Sequence, residues 1–424
     1  MFCPSSVLTV VLLALSASVS ATPLVQVREL RASLSFTRKL NISGSTLPEI
    51  DRARAAGLIS KGKALGSGGS SSSSSSSSKR AISRRAASFG VTNTAVTYIA
   101  SIGVGSPATS YSLLIDTGSS NTWLGASASY VKTSTSKSTG NSVYVSYGSG
   151  SFLGTEYTDT VTLSSDLVIT NQSIGVASST QGFDGEDGIL GIGPVDLTDG
   201  TVFNTNTVPT VTDNLLSQGT IDSEVIGIYY APATSDSTTN GELTFGGTDA
   251  SKFTGSISYV PITGTSPASE YWGIDESITY GSSGSNVLSS TAGIVDTGTT
   301  LVLIASDAFS RYKSLSGASE DETTGLLKIS SSSYANLKSL FFNIGSSKYE
   351  LTMNAQTWPR SLNSAIGGDS GLIYLVVADI GTDSGQGLDF VNGYTFLERF
   401  YSVFDTSNSQ VGFATTSHTS DTSN

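Results

Sequence analysis

The feature that most constrains this chain is a segment that occurs twice, in which an apolar run ends in Asp-Thr-Gly. Residues 113–120 read Leu-Leu-Ile-Asp-Thr-Gly-Ser-Ser, and residues 293–300 read Gly-Ile-Val-Asp-Thr-Gly-Thr-Thr. A second motif follows each copy, with Gly-Ile-Leu-Gly at residues 188–191 and Phe-Val-Asn-Gly at residues 390–393. Repetition in the same order predicts two structurally related lobes.

Composition favours an all-β body for both lobes. The chain has 424 residues, more than one hydrophobic core normally supports, with 45 glycines and only 13% charged residues. Apolar alternation predicts strands at residues 98–105 and 111–116. We expect an N-terminal lobe of residues 86–255 and a C-terminal lobe of residues 256–415, with a cleft between them. Short helices are expected over residues 211–218, 306–314 and 332–340.

Each repeat carries one carboxylate, Asp116 in the first copy and Asp296 in the second. A single Asp-Thr-Gly is an ordinary turn sequence. Two related lobes, however, would bring equivalent loops together at their interface. Two carboxylates within hydrogen-bonding reach share a proton, so that one acts as a base and the other as an acid. The pair is therefore predicted to activate water for hydrolysis without a covalent intermediate.

The residues that flank the two carboxylates are expected to support them in matching ways. The expected roles are close approach of backbone amides at Gly118 and Gly298, hydrogen bonds between lobes from Thr117 and Thr297, and donation to the outer carboxylate oxygens from Ser119 and Thr299.

The sequence lacks the residues that other catalytic mechanisms would need. The one histidine, His418, lies in a polar tail of residues 416–424, and the one cysteine, Cys3, precedes an apolar run at residues 7–15. A histidine triad, a zinc site and a thiol nucleophile are therefore not expected. We expect no metal and no cofactor. A glycosidase with two carboxylates would not need them in repeated triplets.

The first 21 residues are expected to be a signal peptide. Their apolar run is too short to span a bilayer, and small residues follow it. The protein is therefore expected to be secreted into the extracellular space, with no membrane attachment.

Residues 22–85 are expected to form a basic propeptide that includes the serine run of residues 70–78. They contain twelve of the chain's 22 lysines and arginines but three of its 34 acidic residues, which leaves ten basic and 31 acidic residues in the remainder. Opposite charges favour docking on the acidic body. A disordered basic tail is the alternative, and it is favoured for the last twenty of these residues. Cleavage is expected after Arg85, and Lys61 or Lys63 is expected to sit on the carboxylate pair.

The chain resembles the fungal secreted branch of the pepsin-like aspartic proteases over nearly all of residues 95–415. The matching segments are residues 102–108, 116–123 and 396–405. The resemblance implies the bilobal double-β-barrel fold, an aspartic endopeptidase made as a zymogen and active in acid, with its propeptide as inhibitor and polypeptides as substrates. A catalytically silent binding or inhibitor protein on the same fold is the alternative. We expect a monomer that does not bind nucleic acid.

The resemblance also identifies a flap and its supports. Residues 145–151 are similar to the tip of the β-hairpin that closes over substrate, which makes Tyr147 the flap tyrosine. Trp123 is expected to donate its indole N–H to that hydroxyl. The residues expected to contact substrate are Gly148 and Ser149 on the flap, Gly118, Gly298, Thr299 and Thr300 beside the carboxylates, and Ile189 near the primary pocket.

Three positions depart from the family pattern or add to it. Glu186 stands where relatives often carry an apolar residue, and it is expected either to point to solvent or to accept a basic substrate side chain. Asn392 replaces a leucine in the second Gly-terminated motif, which leaves the packing under Asp296 open. Asn171 begins an Asn-Gln-Ser sequon and is a candidate glycosylation site.

Overall fold

The computed structural model describes residues 45–67, 86–93, 97–183, 185–232 and 238–422. The expected signal peptide, the serine run and the cleavage site at Arg85 lie outside these residues. The α-helices are α1 (Leu47–Ser67), α2 (Val211–Ser217), α3 (Ser306–Ser316), α4 (Ser331–Tyr334) and α5 (Tyr394–Leu397).

The rest of the described chain is mostly β-structure. The strands are β1 (Ala87–Asn93), β2 (Tyr98–Val104), β3 (Thr109–Asp116), β4 (Thr122–Leu124), β5 (Lys137–Ser146), β6 (Ser151–Ser164), β7 (Leu167–Gln181), β8 (Gly188–Gly191), β9 (Val225–Tyr229), β10 (Thr238–Phe245), β11 (Thr254–Pro261), β12 (Gly273–Tyr280), β13 (Ser285–Val295), β14 (Val302–Ile304), β15 (Ser319–Glu320), β16 (Leu327–Ile329), β17 (Leu340–Ile344), β18 (Ser347–Leu351), β19 (Ile373–Leu375), β20 (Val377–Asp379), β21 (Phe390–Asn392), β22 (Phe400–Asp405) and β23 (Gln410–Thr415).

The N-terminal lobe is a closed barrel. Its strands follow the order β2-β3-β8-β4-β7-β6, and a further pairing of β2 with β6 closes the ring. Alternation along β2 and β3 turns Ile102, Leu113 and Ile115 into the core, where each is fully buried. Burying these apolar side chains is what holds the barrel closed, because each contributes about 1.5–3 kcal/mol relative to an exposed position.

The C-terminal lobe repeats this arrangement as an open sheet of order β18-β17-β12-β13-β21-β14-β20. In the first lobe β3 runs parallel to β8, so that Asp116 lies beside Gly191. In the second lobe β13 runs parallel to β21, so that Val295 lies beside Asn392. The prediction of two related β lobes is confirmed.

A third set of strands joins the two lobes. Near the C-terminus β22 pairs with β9 and with β23, and β23 also pairs with β11, which extends the sheet of the first lobe. The tail folds back on this sheet, where Thr419 Oγ1 donates to the carbonyl of Arg399 at 2.6 Å. Strands from the C-terminal part of the chain therefore complete the sheet of the first lobe.

Two of the three expected helices are confirmed and the third is wrong in extent. Helices α2 and α3 form where predicted, and Thr210 caps α2 in a capping box with Asp213. Helix α4 ends at Tyr334, and Leu340 begins β17 instead. The apolar residues of 332–340 keep helical spacing, but the helix stops after one turn, and the chain enters β17 at Leu340, which pairs with Tyr280 of β12.

Helix α1, from the basic segment, is held in place by one buried stripe. Its buried residues recur at helical spacing, so that one face lies against the protein. The members of that stripe are Leu47, Pro48, Asp51, Arg54, Ala55, Leu58 and Gly62. Among the described residues, no helix is long and apolar enough to cross a membrane.

Candidate active site

The two Asp-Thr-Gly triplets meet where β3 and β13 end. Thr117 N donates to Thr297 Oγ1 at 3.0 Å, and Thr297 N donates to Thr117 Oγ1 at 2.9 Å. The same hydroxyls continue across the lobes, since Thr297 Oγ1 donates to the carbonyl of Ile115 at 2.9 Å. These reciprocal bonds fix the two loops against each other and set the separation of their carboxylates.

Asp116 and Asp296 are both fully buried and are held in the same way. Asp116 accepts from Ser119 Oγ at 2.5 Å and from Gly118 N at 2.9 Å, and Asp296 accepts from Thr299 Oγ1 at 2.6 Å and from Gly298 N at 3.0 Å. Each carboxylate therefore has one oxygen tied to a hydroxyl and the other turned toward the opposite lobe.

The triplet glycines allow that close approach. A Cβ on Gly298 would lie 2.6 Å from Asp116 Oδ1, and a Cβ on Gly118 would lie 2.7 Å from Asp296 Oδ1. Any side chain at either position would push the facing carboxylate away. Glycine is thus required here by the distance between the loops.

Arg54 of α1 lies between the two carboxylates. Its Nη2 donates to Asp116 Oδ1 at 2.6 Å and to Asp296 Oδ1 at 3.0 Å, while its Nε donates to Asp296 Oδ2 at 2.8 Å. The expectation that Lys61 or Lys63 would fill this place is wrong. Lys61 lies two turns further along α1, and its Nζ donates to the carbonyl of Leu197 at 2.7 Å.

Burial and the arginine act on the carboxylates in opposite directions. Burial would raise the pKa of Asp296, but the Arg54 charge and hydrogen bonds bring this pKa below its usual value. For Asp116, burial prevails over Arg54, and the nearby Asp296 charge adds to it, so that its pKa is raised. The pKa values of Asp116 and Asp296 are thereby moved apart.

The rest of α1 also contacts the site. Asp51 accepts from Leu301 N at 2.8 Å and Thr300 N at 3.3 Å, directly after the second triplet. Burial raises the pKa of Asp51 to about 7, against the lowering effect of these amides. Tyr271 donates its hydroxyl to the carbonyl of Leu58 at 2.8 Å. Helix α1 therefore lies in the cleft and covers both carboxylates.

Strands β5 and β6 form a hairpin whose tip, residues 147–150, lies over α1. Tyr147 N donates to the carbonyl of Gly150 at 2.8 Å, and Gly148 adopts a φ of 77°. A Cβ on Gly57 of α1 would lie 2.7 Å from the Gly148 Cα, so the tip and the helix touch through two glycines. Ser149 is half-buried beside them.

Tyr147 packs against Trp123, with ring centroids 6.4 Å apart, and both lie in one cluster with Ile189. The expected hydrogen bond between them lacks standard geometry, although Trp123 lies close enough as a side-chain donor to lower the pKa of Tyr147. Among the described residues, neither the Tyr147 hydroxyl nor Trp123 Nε1 has a partner in hydrogen-bonding geometry, although both are buried. Burial raises the pKa of Tyr147 well above its usual value, and the charge of Asp116 adds to this.

Two further positions differ from expectation or extend it. Glu186 is only 4% exposed, so the expectation that it points to solvent is wrong. Asn171 is exposed on β7, where the candidate sequon is accessible.

Arg54, Asp51 and Glu276 were not identified from the sequence. Asp51 and Arg54 are one helical turn apart, but charged residues on the buried face of α1 hide its amphipathic pattern. Glu276 occupies an inward position of β12 between Ile274 and Ile278. That alternation is a usable signal, since glutamate is almost never buried without a partner.

Comparisons with known proteins agree with this geometry. The family model of eukaryotic aspartyl proteases matches residues 97–416. Polyporopepsin from Irpex lacteus is 65% identical over 341 residues, which are 80% of this chain and 100% of that protein. Pepsin-3 from Oryctolagus cuniculus is 30% identical over 75% of this chain and 80% of its own length.

A solved structure shows the same fold. The crystal structure of aspartic proteinase from Irpex lacteus aligns with a TM-score of 0.79 at 65% identity, and it covers 80% of this chain and 100% of that one. The match includes both triplets and leaves α1 outside the family model. The chain therefore belongs to the eukaryotic aspartyl protease family, the pepsin-like hydrolases of peptide bonds.

Proposed function

We propose that this chain is a secreted aspartic endopeptidase, made as a zymogen, that hydrolyses polypeptides in acid through Asp116 and Asp296. The observation that carries the proposal is the bridge of Arg54 to both carboxylates. It supports the carboxylates as a facing pair, and it supports α1 as an inhibitory segment that occupies their reactive oxygens.

The mature site would use the pair as base and acid. Once Arg54 withdraws, the ionised carboxylate takes a proton from a bound water, and the resulting hydroxide attacks the scissile carbonyl carbon. The protonated carboxylate donates to the carbonyl oxygen, and a proton then passes to the leaving amine as the C–N bond breaks. Substrate pairing with Gly148 and Ser149 on the flap would hold an extended peptide over the pair.

Acid would release α1 through the Arg54–Asp296 ion pair. Because the pKa of Asp296 is lowered in the docked state, its contribution to docking is present above its ordinary value of 3.8 and is lost as the pH falls through the lower docked value. Asp51 acts in the opposite sense, since its raised pKa favours docking at low pH and loses that effect toward about 7. Asp116, whose pKa is also raised in the docked state, acts in the same sense as Asp51. We expect loss of the Arg54–Asp296 ion pair to decide the balance, with net release below about pH 4.

The full chain tests this function directly. At about pH 3 to 4 it should convert to a shorter form and cleave a denatured protein with inhibition by pepstatin, and at neutral pH it should remain intact. Detection of the mature N-terminus locates the cleavage expected after Arg85. Proteolysis retained after Asp296→Asn would refute the carboxylate-pair mechanism, and conversion that does not depend on pH would refute the acid switch.

The contact between α1 and the flap yields a further prediction. Gly57→Ala should favour the isolated helix by about 1 kcal/mol. Its Cβ would nevertheless meet the Gly148 backbone at 2.7 Å, so the flap or the helix must move. We expect faster acid conversion of the full chain in a time course at pH 4.5.

Ser60→Ala is the matched control, because Ser60 lies exposed on the same helix and also gains helix propensity. If Gly57→Ala converts no faster than Ser60→Ala, the glycine contact does not contribute to docking.

A further inference from the structure

A buried polar pair lies directly beneath Asp296. Glu276, on β12, is 1% exposed, and Asn392, at the end of β21, is fully buried. Asn392 Nδ2 donates to Glu276 Oε2 at 2.8 Å. The main chain of Asn392 supports the second triplet, since its carbonyl accepts from Asp296 N at 3.2 Å and its strand pairs with Val295.

The first lobe has an apolar contact at the equivalent place. Glu276 lies opposite Thr291 as Ile102 lies opposite Tyr111, and Asn392 lies beside Val295 as Leu190 lies beside Ile115. Both Ile102 and Leu190 are fully buried. The strands under Asp116 therefore carry apolar side chains at these positions, whereas the strands under Asp296 carry a carboxyl–amide pair.

The hydrogen bond between these two side chains leaves one oxygen atom of each without a donor. Glu276 Oε1 and Asn392 Oδ1 are both buried, and neither has a partner within the described part of the chain. Both atoms are acceptors if Glu276 is ionised, and each would then bear the full desolvation penalty. A proton on Oε1 turns it into a donor toward Oδ1, and the two side chains are then joined by two hydrogen bonds.

The surroundings offer no counter-charge for an ionised Glu276. Strand β12 pairs with β13 and β17, and neither of these two strands carries an ionisable residue. Strand β21 carries none either. On β12 itself Asp275 is exposed on the opposite face. The charged groups of the adjoining active site are Asp296 and Arg54, which are paired with each other. Buried titratable residues nearby include the tyrosines Tyr280, Tyr312, Tyr349 and Tyr394. Asp389, directly before β21, is also fully buried and accepts from Thr291 Oγ1 at 2.5 Å, and as an acid it supplies no counter-charge.

We propose that Glu276 is a positioning residue that stays protonated in the folded protein and pairs with Asn392 to hold the strands under Asp296. Its ionisation loosens β13 and β21, so that the folded C-terminal lobe is weakened as the pH rises from acid through neutral. The consequence for catalysis rests on the proposed function of Asp296, whereas the consequence for stability does not.

The direction of the pH dependence follows from burial. Burial raises the pKa of Glu276 from its usual 4.5 to about 8, and only the hydrogen bond from Asn392 opposes this. A group whose pKa is raised by folding contributes stability that is complete below about pH 4.5 and is lost progressively as the pH rises toward about 8. Within that window each pH unit changes the opening equilibrium about tenfold.

Glu276→Gln is the decisive variant, because glutamine reproduces the protonated pair at every pH. Its amide donates to Asn392 Oδ1 while its carbonyl accepts from Asn392 Nδ2. Hydrogen–deuterium exchange would be measured on the full chain, with Asp116→Asn in all variants to prevent self-digestion. For peptides covering β13 and β21, the ratio of opening constants of parent to variant should rise about a hundredfold between pH 5 and pH 7. Peptides covering β3 and β8 should show no such change.

Glu350→Gln is the matched control, since Glu350 is exposed two strands away on β18 and loses the same charge. A ratio for Glu276→Gln that is constant with pH, or equal to that of Glu350→Gln, would overturn the proposal. Glu276→Ile combined with Asn392→Leu copies the first lobe, and it should likewise lack the pH dependence.

An activity measurement separates this inference from the proposed function. Acid-converted enzyme with Asp116 intact would be held at pH 7 and assayed at pH 4, where the Glu276→Gln form should retain more activity than the parent. Absence of activity from both would contradict the proposed function and leave the exchange result standing. Equal losses, with no difference in exchange, would overturn the positioning role.

Discussion

Asp116→Asn is expected to abolish peptide-bond hydrolysis while leaving the fold intact. Asparagine keeps the shape of the carboxylate: its Oδ1 can still accept from Gly118 N, which lies 2.9 Å from Asp116 Oδ1, and its amide Nδ2 can donate to Ser119 Oγ, which lies 2.5 Å from Asp116 Oδ2. It cannot share a proton with Asp296. Removal of one partner of an acid–base pair should reduce kcat by on the order of 10³-fold or more, with a small change in KM.

The measurement is a steady-state assay of acid-converted enzyme on an extended peptide, with conversion carried out by added wild-type enzyme. Ser120→Ala is the control, because its hydroxyl donates to the carbonyl of Pro194 and contacts neither carboxylate. It should stay within a few fold of wild type. If Asp116→Asn keeps a tenth or more of the wild-type kcat, Asp116 is not part of the catalytic pair.

The main features of the fold and the facing carboxylates could be predicted because they are written in local patterns. The strands at residues 98–105 and 111–116 alternate in hydropathy, and the triplet that follows the second strand recurs 180 residues later. A repeated motif on two related lobes leaves one way to bring the copies together. The residue types flanking Asp116 then have partners at fixed, short chain separations.

The errors arose where the answer depends on long-range packing. A basic residue on the pair was expected from charge alone, but the rotation and depth of α1 decide which one reaches it, and these are set by contacts such as Asp51 with Leu301 N. Trp123 and Tyr147 were placed together correctly, with ring centroids 6.4 Å apart, but their polar atoms miss standard hydrogen-bonding geometry. Glu186 was expected either to point to solvent or to accept a basic substrate side chain, and the structure buries it.

Asn392 shows a departure that was recognised but could not be explained from the sequence. Its partner Glu276 lies 116 residues away, and only the order β12-β13-β21 brings them together. A polar residue at each of two buried positions is costly singly and acceptable as a pair. Neither could therefore be interpreted before the other was located.

Arg54→Met is expected to make the full chain convert and become active at a pH where the wild-type chain stays latent. The guanidinium makes three hydrogen bonds to the two carboxylates, and the ion pairs are 6% exposed or less. Breaking a buried ion pair by removing one partner typically costs about 3–5 kcal/mol, because the other charge remains buried and unpaired. Two buried carboxylates in contact would then resist the docking of α1 instead of favouring it.

A pH series from 3 to 7, scored for chain conversion and for cleavage of a denatured protein, measures the effect. The midpoint for Arg54→Met should lie at least one to two pH units higher than that of wild type, as about 3 kcal/mol of lost docking corresponds to about two pH units for one linked proton. Arg54→Lys keeps a charge but has no planar fork to reach both carboxylates, so its midpoint should fall between the two.

Arg52→Met separates this contact from loss of positive charge on the helix. Arg52 lies on the same helix with its side chain 44% exposed, and it pairs with Asp379 at 3.6 Å, away from both carboxylates. Its midpoint should stay close to that of wild type, because exposed pairs of this kind contribute little. If Arg52→Met and Arg54→Met shift conversion equally, general charge attraction holds α1 in the cleft. A shift confined to Arg54→Met would instead mean that the catalytic carboxylates themselves bind the inhibitory helix α1. Protonation of that pair would then both release α1 and supply the acid that peptide-bond hydrolysis requires.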